Sequence, residues 1–175
     1  DAFRTFAVSG QNMLYADVEG NIGQVMAAQL PTRQNGVPPD VILSPAQSDP
    51  AWAKMADVAN LPVSLNPADG FLLSANNRPT DSGTPVGYFF SPDDRMVRMR
   101  EILTEKGKVG IDDIKELQRD VYMKSSVELR DALLPRIAEV DPVEPSARRV
   151  VSLLKDWDGH YKADSQGAVA FEMFY

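Results

Sequence analysis

The sequence predicts an α+β fold in which a strand-and-loop region is followed by a helical region. Two observations carry this. Apolar and β-branched residues come in short runs punctuated by Gly, Asn and Pro over residues 1–90, whereas from Ser91 onward they recur at helical spacing. Strand and helix signals do not alternate along the chain, as a doubly wound sheet would require. With 175 residues, 43% of them hydrophobic, the chain has the material for the core of one ordinary domain. The parts 1–90 and 91–175 are therefore expected to belong together.

Taken in order, Ala2–Ser9 and Met13–Asp17 read as short strands, and Ile22–Leu30 resumes the pattern. Gly20-Asn21 between such runs signals a hairpin. Pro31, Pro38, Pro39, Pro45 and Pro50, spread among Asn, Gly, Gln and Ser, predict loop over 31–50. Ala51–Val58 has the composition of a short helix, Asn66-Pro-Ala-Asp-Gly70 that of a turn, and Phe71–Ser74 that of a strand. Ser91-Pro92-Asp93-Asp94 is a helix start: a hydroxyl cap, Pro at the first position, and acids at the positive end of the dipole. Met96, Met99, Ile102 and Leu103 keep helical spacing up to Lys106-Gly107. A second helix is expected from about Asp112, with Ile114, Leu117, Val121 and Leu129 on one face and Pro135 kinking or breaking it. Asp141–Pro145 is a linker. A third helix over Ser146–Trp157 presents Val150, Val151, Leu154 and Trp157. Asp158-Gly159 turns the chain, and Asp164-Ser165 caps a last helix.

Composition excludes several chemistries. A net charge of −7 without a Lys/Arg run argues against nucleic-acid binding, and no apolar stretch is long enough to cross a membrane. Without cysteine there is no disulfide, thiolate metal site or Cys nucleophile. The single histidine, His160, lies beside a turn, and no Gly-x-Ser-x-Gly elbow accompanies it. The pairs Asp93-Asp94 and Asp112-Asp113 both open helices, where dipole complementation explains them. What remains is Asn76-Asn77 and Arg95. Two consecutive amides after an apolar run are poor strand and helix formers. They suit either a turn that caps a strand or a neutral donor to an oxygen that gains negative charge. Arg95, in the first turn of the Ser91 helix, opposes the dipole. It either balances the two acids beside it or orients a neighbouring amide or carboxylate.

Several segments together resemble the penicillin acylase (penicillin amidase) family of N-terminal-nucleophile hydrolases. They are Asn12-Met-Leu-Tyr-Ala-Asp-Val-Glu-Gly-Asn-Ile-Gly23, Leu30-Pro-Thr-Arg33 and Asn66-Pro-Ala-Asp-Gly-Phe-Leu-Leu-Ser-Ala-Asn-Asn-Arg-Pro79. Asp94-Arg95, Leu117–Tyr122, Leu154–Gly159 and Ala163-Asp-Ser165 follow in the family's order. The resemblance implies a piece of the αββα sandwich and a Ser nucleophile at the mature chain's own N-terminus, whose free amine serves as base. It implies an Asn that donates to the oxyanion, at Asn76, with Asn77 the alternative if the register slips by one. It implies Arg95 as part of the active-site network, and Gln11 as a residue lining the acyl pocket, more polar than a phenylacetyl group would favour.

Three departures from the family pattern set further expectations. Asp1 is not Ser, so the chain is expected to be an internal segment of the family's β chain, a truncated domain inactive alone. It would work with the remainder of the α and β chains on a small N-acyl amide. The loop 36–60 lacks the family's Trp-rich pattern. No cofactor is expected; the structural calcium frequent in the family would match Pro39, with only Asp81 near the position of its acidic ligand. The resemblance also implies a periplasmic or secreted bacterial enzyme, and the chain alone is expected to self-associate. Alternatives are an acyl-homoserine-lactone acylase, or a non-catalytic α+β binding or scaffold module.

Overall fold

A tight hairpin organises the first half of the chain, and a pair of packed helices the second. The computed structural model describes residues 2–32, 41–79, 83–87, 89–140 and 144–174; of Asp49 and Ala51 it describes the backbone only. The chain divides into two units, Asp1–Asp93 and Asp94–Tyr175. The first holds the strands and the second most of the helices, an α+β architecture.

In the first unit β1 (Gln11–Ala16) and β2 (Ile22–Ala27) pair antiparallel, and β3 (Val63–Leu65) joins the far edge of β2. The connection is closed by Asp17 and Asn21. The Asp17 carboxylate accepts from the Asn21 backbone N–H and side-chain amide, each at 2.8 Å, and from the Tyr15 hydroxyl at 2.9 Å. Gly20, with φ of 88°, supplies the left-handed residue this turn needs. The amide of Asn21, foremost, holds the Asp17 carboxyl below the usual carboxylate range. Asn66 locks β3 to the same corner. Its Oδ1 accepts from Ile22 N at 2.8 Å, and its Nδ2 donates to Asn21 Oδ1 at 2.9 Å.

Cross-strand partners share a face. Tyr15, Gly23 and Leu65 therefore lie side by side, as do Met13, Val25 and Val63. Tyr15, Val63 and Leu65 on this face are 57–68% exposed, while Ala27, Ala28, Leu61 and Ala75 are buried.

Several expected elements differ. Residues 2–5 form a turn and not a strand: Phe6 N donates to Phe3 O at 3.1 Å and the two rings meet edge to face. A short helix, α1, covers Pro45–Trp52, earlier than Ala51–Val58. Ser44 Oγ donates to Gln47 Oε1 at 2.9 Å, and Pro45 occupies the first turn, so a capping motif lies hidden in the proline-rich loop. A 3-10 turn follows at Val58–Asn60. Phe71–Ser74 is irregular chain and not a strand; the third strand of the sheet is Val63–Leu65.

The second unit contains α2 (Asp94–Lys106), α3 (Ile111–Leu117), α4 (Lys124–Val140), α5 (Pro145–Asp156) and α6 (Gln166–Phe174). Its core lies between α5 and α6, where Leu154, Trp157, Ala168, Ala170 and Phe171 are buried, with Leu129 and Leu134 of α4 packed against them. Trp157 meets Phe171 and Tyr161 at 5.1 Å between ring centroids. Gly167 makes this possible: a Cβ there would lie 2.5 Å from Trp157 Cβ. Ser165 caps α6 as expected, its Oγ accepting from Ala168 N at 3.2 Å.

The expected second helix is two helices. Asp120 interrupts it: Oδ1 accepts from Tyr122 N at 2.8 Å, and Oδ2 takes the Arg98 guanidinium at 2.8 Å. Burial pushes the Asp120 carboxyl up, but Arg98 and the Tyr122 N–H outweigh it and hold it below the usual range. Pro135 does not break the chain's helix, which continues through it to Val140.

Candidate active site

The region around Asn76 is fastened by side chains distant in sequence. Ala75 is 6% exposed and seats the segment. On one side of it, Ser74 Oγ accepts a hydrogen bond from Asn12 Nδ2 on β1 at 2.8 Å. On the other, Asn77 folds back on its own backbone, with Oδ1 accepting from Ala75 N at 3.1 Å and Nδ2 donating to Arg78 O at 3.0 Å. The carbonyl of Asn76 accepts from Ser91 N at 3.2 Å, and the Arg78 guanidinium lies over the Phe90 ring at 5.6 Å. Between these ties Asn76 is exposed, with φ of 60°. Asn is among the few side-chain-bearing residues that adopt this left-handed conformation readily. Asn at this position therefore suits the backbone whatever chemistry its amide performs.

Gln11 opens β1 opposite Ala27, and its amide donates to Ser9 Oγ at 3.4 Å. Strand alternation turns it to the face opposite Asn12. Arg95 stands exposed in the first turn of α2, in the second unit. Asn12 was not singled out by the sequence. The available signal was a carboxamide within β1, where Asn is a poor strand former.

Several other titratable groups have structural partners. Asp94 accepts from Ser125 N at 3.0 Å, satisfying an orphan donor at the start of α4. Asp113 Oδ2 accepts from Gly110 N at 2.7 Å, and Asp112 pairs with Lys115 at 2.9 Å. The His160 ring meets that of Tyr122 at a tilt of 53° with centroids 5.2 Å apart, and its Nδ1 lies 3.2 Å from Asp158 O. A cleft of about 450 Å³ beside α2 and α3 is lined by Arg98 and Lys106, each already paired with a carboxylate. Among the described residues no group of three or more His, Asp or Glu side chains could hold a metal. Pro39 and Asp81 lie outside the described residues.

Comparison with known proteins agrees with the fold. The structure is similar to a thermostable penicillin G acylase from Alcaligenes faecalis, with a TM-score of 0.59 and 28% identity. The likeness covers 87% of this chain and 28% of that one, so the α+β arrangement matches a piece of an N-terminal-nucleophile hydrolase. In sequence the chain is 26% identical over 156 residues to penicillin G acylase of Escherichia coli, covering 85% of this chain and 18% of that protein. It is 27% identical over 179 residues to the penicillin acylase 2 proenzyme of Pseudomonas sp. (strain SE83), covering 99% of this chain and 22% of that protein. The chain thus spans about a fifth of the length of these curated relatives. The penicillin amidase family model matches residues 1–175, and the chain belongs to that family.

Proposed function

We propose that this chain is part of an amide hydrolase that removes the acyl side chain of a β-lactam or a related N-acyl amide. In this reading the Asn76 carboxamide donates to the carbonyl oxygen as it becomes an oxyanion. A neutral N–H donor keeps its proton at every working pH and needs no reorganisation during the reaction. Arg95 supports the charge distribution around that site. The nucleophile is a Ser at the N-terminus of a mature chain, activated by its own amine, and lies elsewhere in the parent protein. The name proenzyme carried by the Pseudomonas relative supports a processed parent.

The observation that favours this reading most is the Asn76 turn. Asn77 has both ends of its amide bonded to the main chain, and Ser74 and Ser91 hold the flanks, with Asn76 exposed between them. The Asn77 amide is thus committed to the main chain, which argues against Asn77 as the donor.

The test must separate donor from backbone. Alanine at φ of 60° adds strain of about 1–2 kcal/mol, so Asn76→Gly is the cleaner variant. In the complete enzyme carrying this chain, kcat on penicillin G or a phenylacetyl anilide is expected to fall about 10²–10³-fold, with an unchanged circular dichroism spectrum. Normal turnover in Asn76→Gly would remove Asn76 from the mechanism. Comparing phenylacetyl with long-chain acyl amides as substrates distinguishes β-lactam side-chain cleavage from acyl-homoserine-lactone cleavage.

A further inference from the structure

We propose that Asn12 is the positioning residue of the Asn76 site, acting through Ser74; this rests on the reading of Asn76 as oxyanion donor. Asn12 is held in the β1–β2 ladder opposite Met26, so its backbone is fixed. Its Nδ2 crosses to Ser74 Oγ at 2.8 Å, a tie that spans 62 positions of the chain. Ser74 lies two residues from Asn76, and fully extended chain covers at most about 3.6 Å per residue. The buried Ala75 between them and the Asn77 clasp on Ala75 N leave that short lever little freedom. The sheet therefore sets where the Asn76 amide stands.

Asn is depleted in strands relative to β-branched and aromatic residues. Its cost to the strand is offset only if the amide does something that an apolar group cannot. Ser74 is itself exposed irregular chain, with no ladder to hold it. The Asn12 contact supplies the long-range fixing that the absent strand at 71–74 would have given. Displacement of a catalytic group by about 1 Å costs on the order of 10²-fold in rate. A loosened turn should therefore appear in turnover more than in substrate affinity.

The experiment uses Asn12→Ala, Ser74→Ala, Ser74→Thr and Asn76→Gly in the complete enzyme, with kcat and KM measured on one phenylacetyl amide. Asn12→Ala and Ser74→Ala are each expected to lower kcat about 10–100-fold with little change in KM. Together they should cost no more than either alone, and Ser74→Thr, which keeps the hydroxyl, should retain turnover. In the Asn76→Gly background, Asn12→Ala should add nothing, because the group it positions is gone. Wild-type kcat in Asn12→Ala and Ser74→Ala alongside a slow Asn76→Gly would overturn the role of Asn12 while leaving the Asn76 reading intact. A loss confined to melting temperature or KM would overturn it too. Normal turnover in Asn76→Gly would overturn both. If Asn12→Ala fails to fold, the exposed Ser74→Ala carries the test alone.

Discussion

Gly159 has φ of 81°, and a Cβ on it would meet Val127 Cγ2 at 2.4 Å and Tyr122 Cε2 at 2.7 Å. Gly159→Ala therefore combines left-handed strain with overpacking and should destabilise the second unit by about 2–4 kcal/mol in urea denaturation. The turn at Asp158-Gly159 was readable in the sequence, but the crowding around it was not, since Val127 and Tyr122 arrive from elsewhere. At Asp17 the same limit applies. Gly20-Asn21 announced a hairpin, yet the carboxylate that closes it is recognisable only once Asn21 and Tyr15 surround it. The sign of its pH dependence follows from the depressed carboxyl. The folded form holds its proton less tightly than the unfolded chain does, so the Asp17 contribution is full above the ordinary aspartate range, near pH 4. It is lost as pH falls through the lower folded value. Carbon NMR titration should place the Asp17 midpoint below that of an unstructured aspartate, and Asn21→Ala should bring it back up. An unshifted midpoint in the parent chain would refute the account.

Among the elements, helices with clear ends were the most legible. Lys106-Gly107 after α2 and Ser165 before α6 are local signals and stand where the sequence put them, whereas α2 begins at Asp94, two residues beyond the start expected at Ser91-Pro92. Elements decided by distant partners were not legible. Val63–Leu65 is too short to show alternation and becomes β3 only through its register with Gly23–Val25. Phe71–Ser74 looks like a strand by composition, yet it pairs with no strand among the described residues. The break between α3 and α4 depends on Arg98 of α2 reaching Asp120, and Tyr122 then pairs across to His160. Removing that carboxylate with Asp120→Ala should cost about 1–3 kcal/mol, because Tyr122 N and Arg98 both lose their acceptor. Asp120→Asn keeps an acceptor for Tyr122 N and should cost less. Equal losses for the two variants would show that the cap is irrelevant.

For the whole molecule, the family was legible because its segments are spread along most of the chain in order, so that no single motif had to carry it. The candidate site was legible only in part. Asn76 stood out as chemistry, while Asn12, which ties it to the sheet, is 62 positions from its partner Ser74, and nothing local names that partner. Tyr15, Val63 and Leu65 expose an apolar sheet face, and Met173 is 76% exposed at the other end of the sequence. The isolated 175-residue chain is accordingly expected to self-associate with rising concentration in light scattering, and Leu65→Lys should weaken this. A monomeric mass at every concentration would show that these surfaces are too small or too dispersed to associate. The two tryptophans have a practical use here. Trp52 in the first unit is 58% accessible, and Trp157 is 5% accessible within the second. Iodide should quench emission from the first and spare the second, so one fluorescence spectrum contains a separate reporter for each half, and melting of the α5–α6 pair can be followed by colour alone.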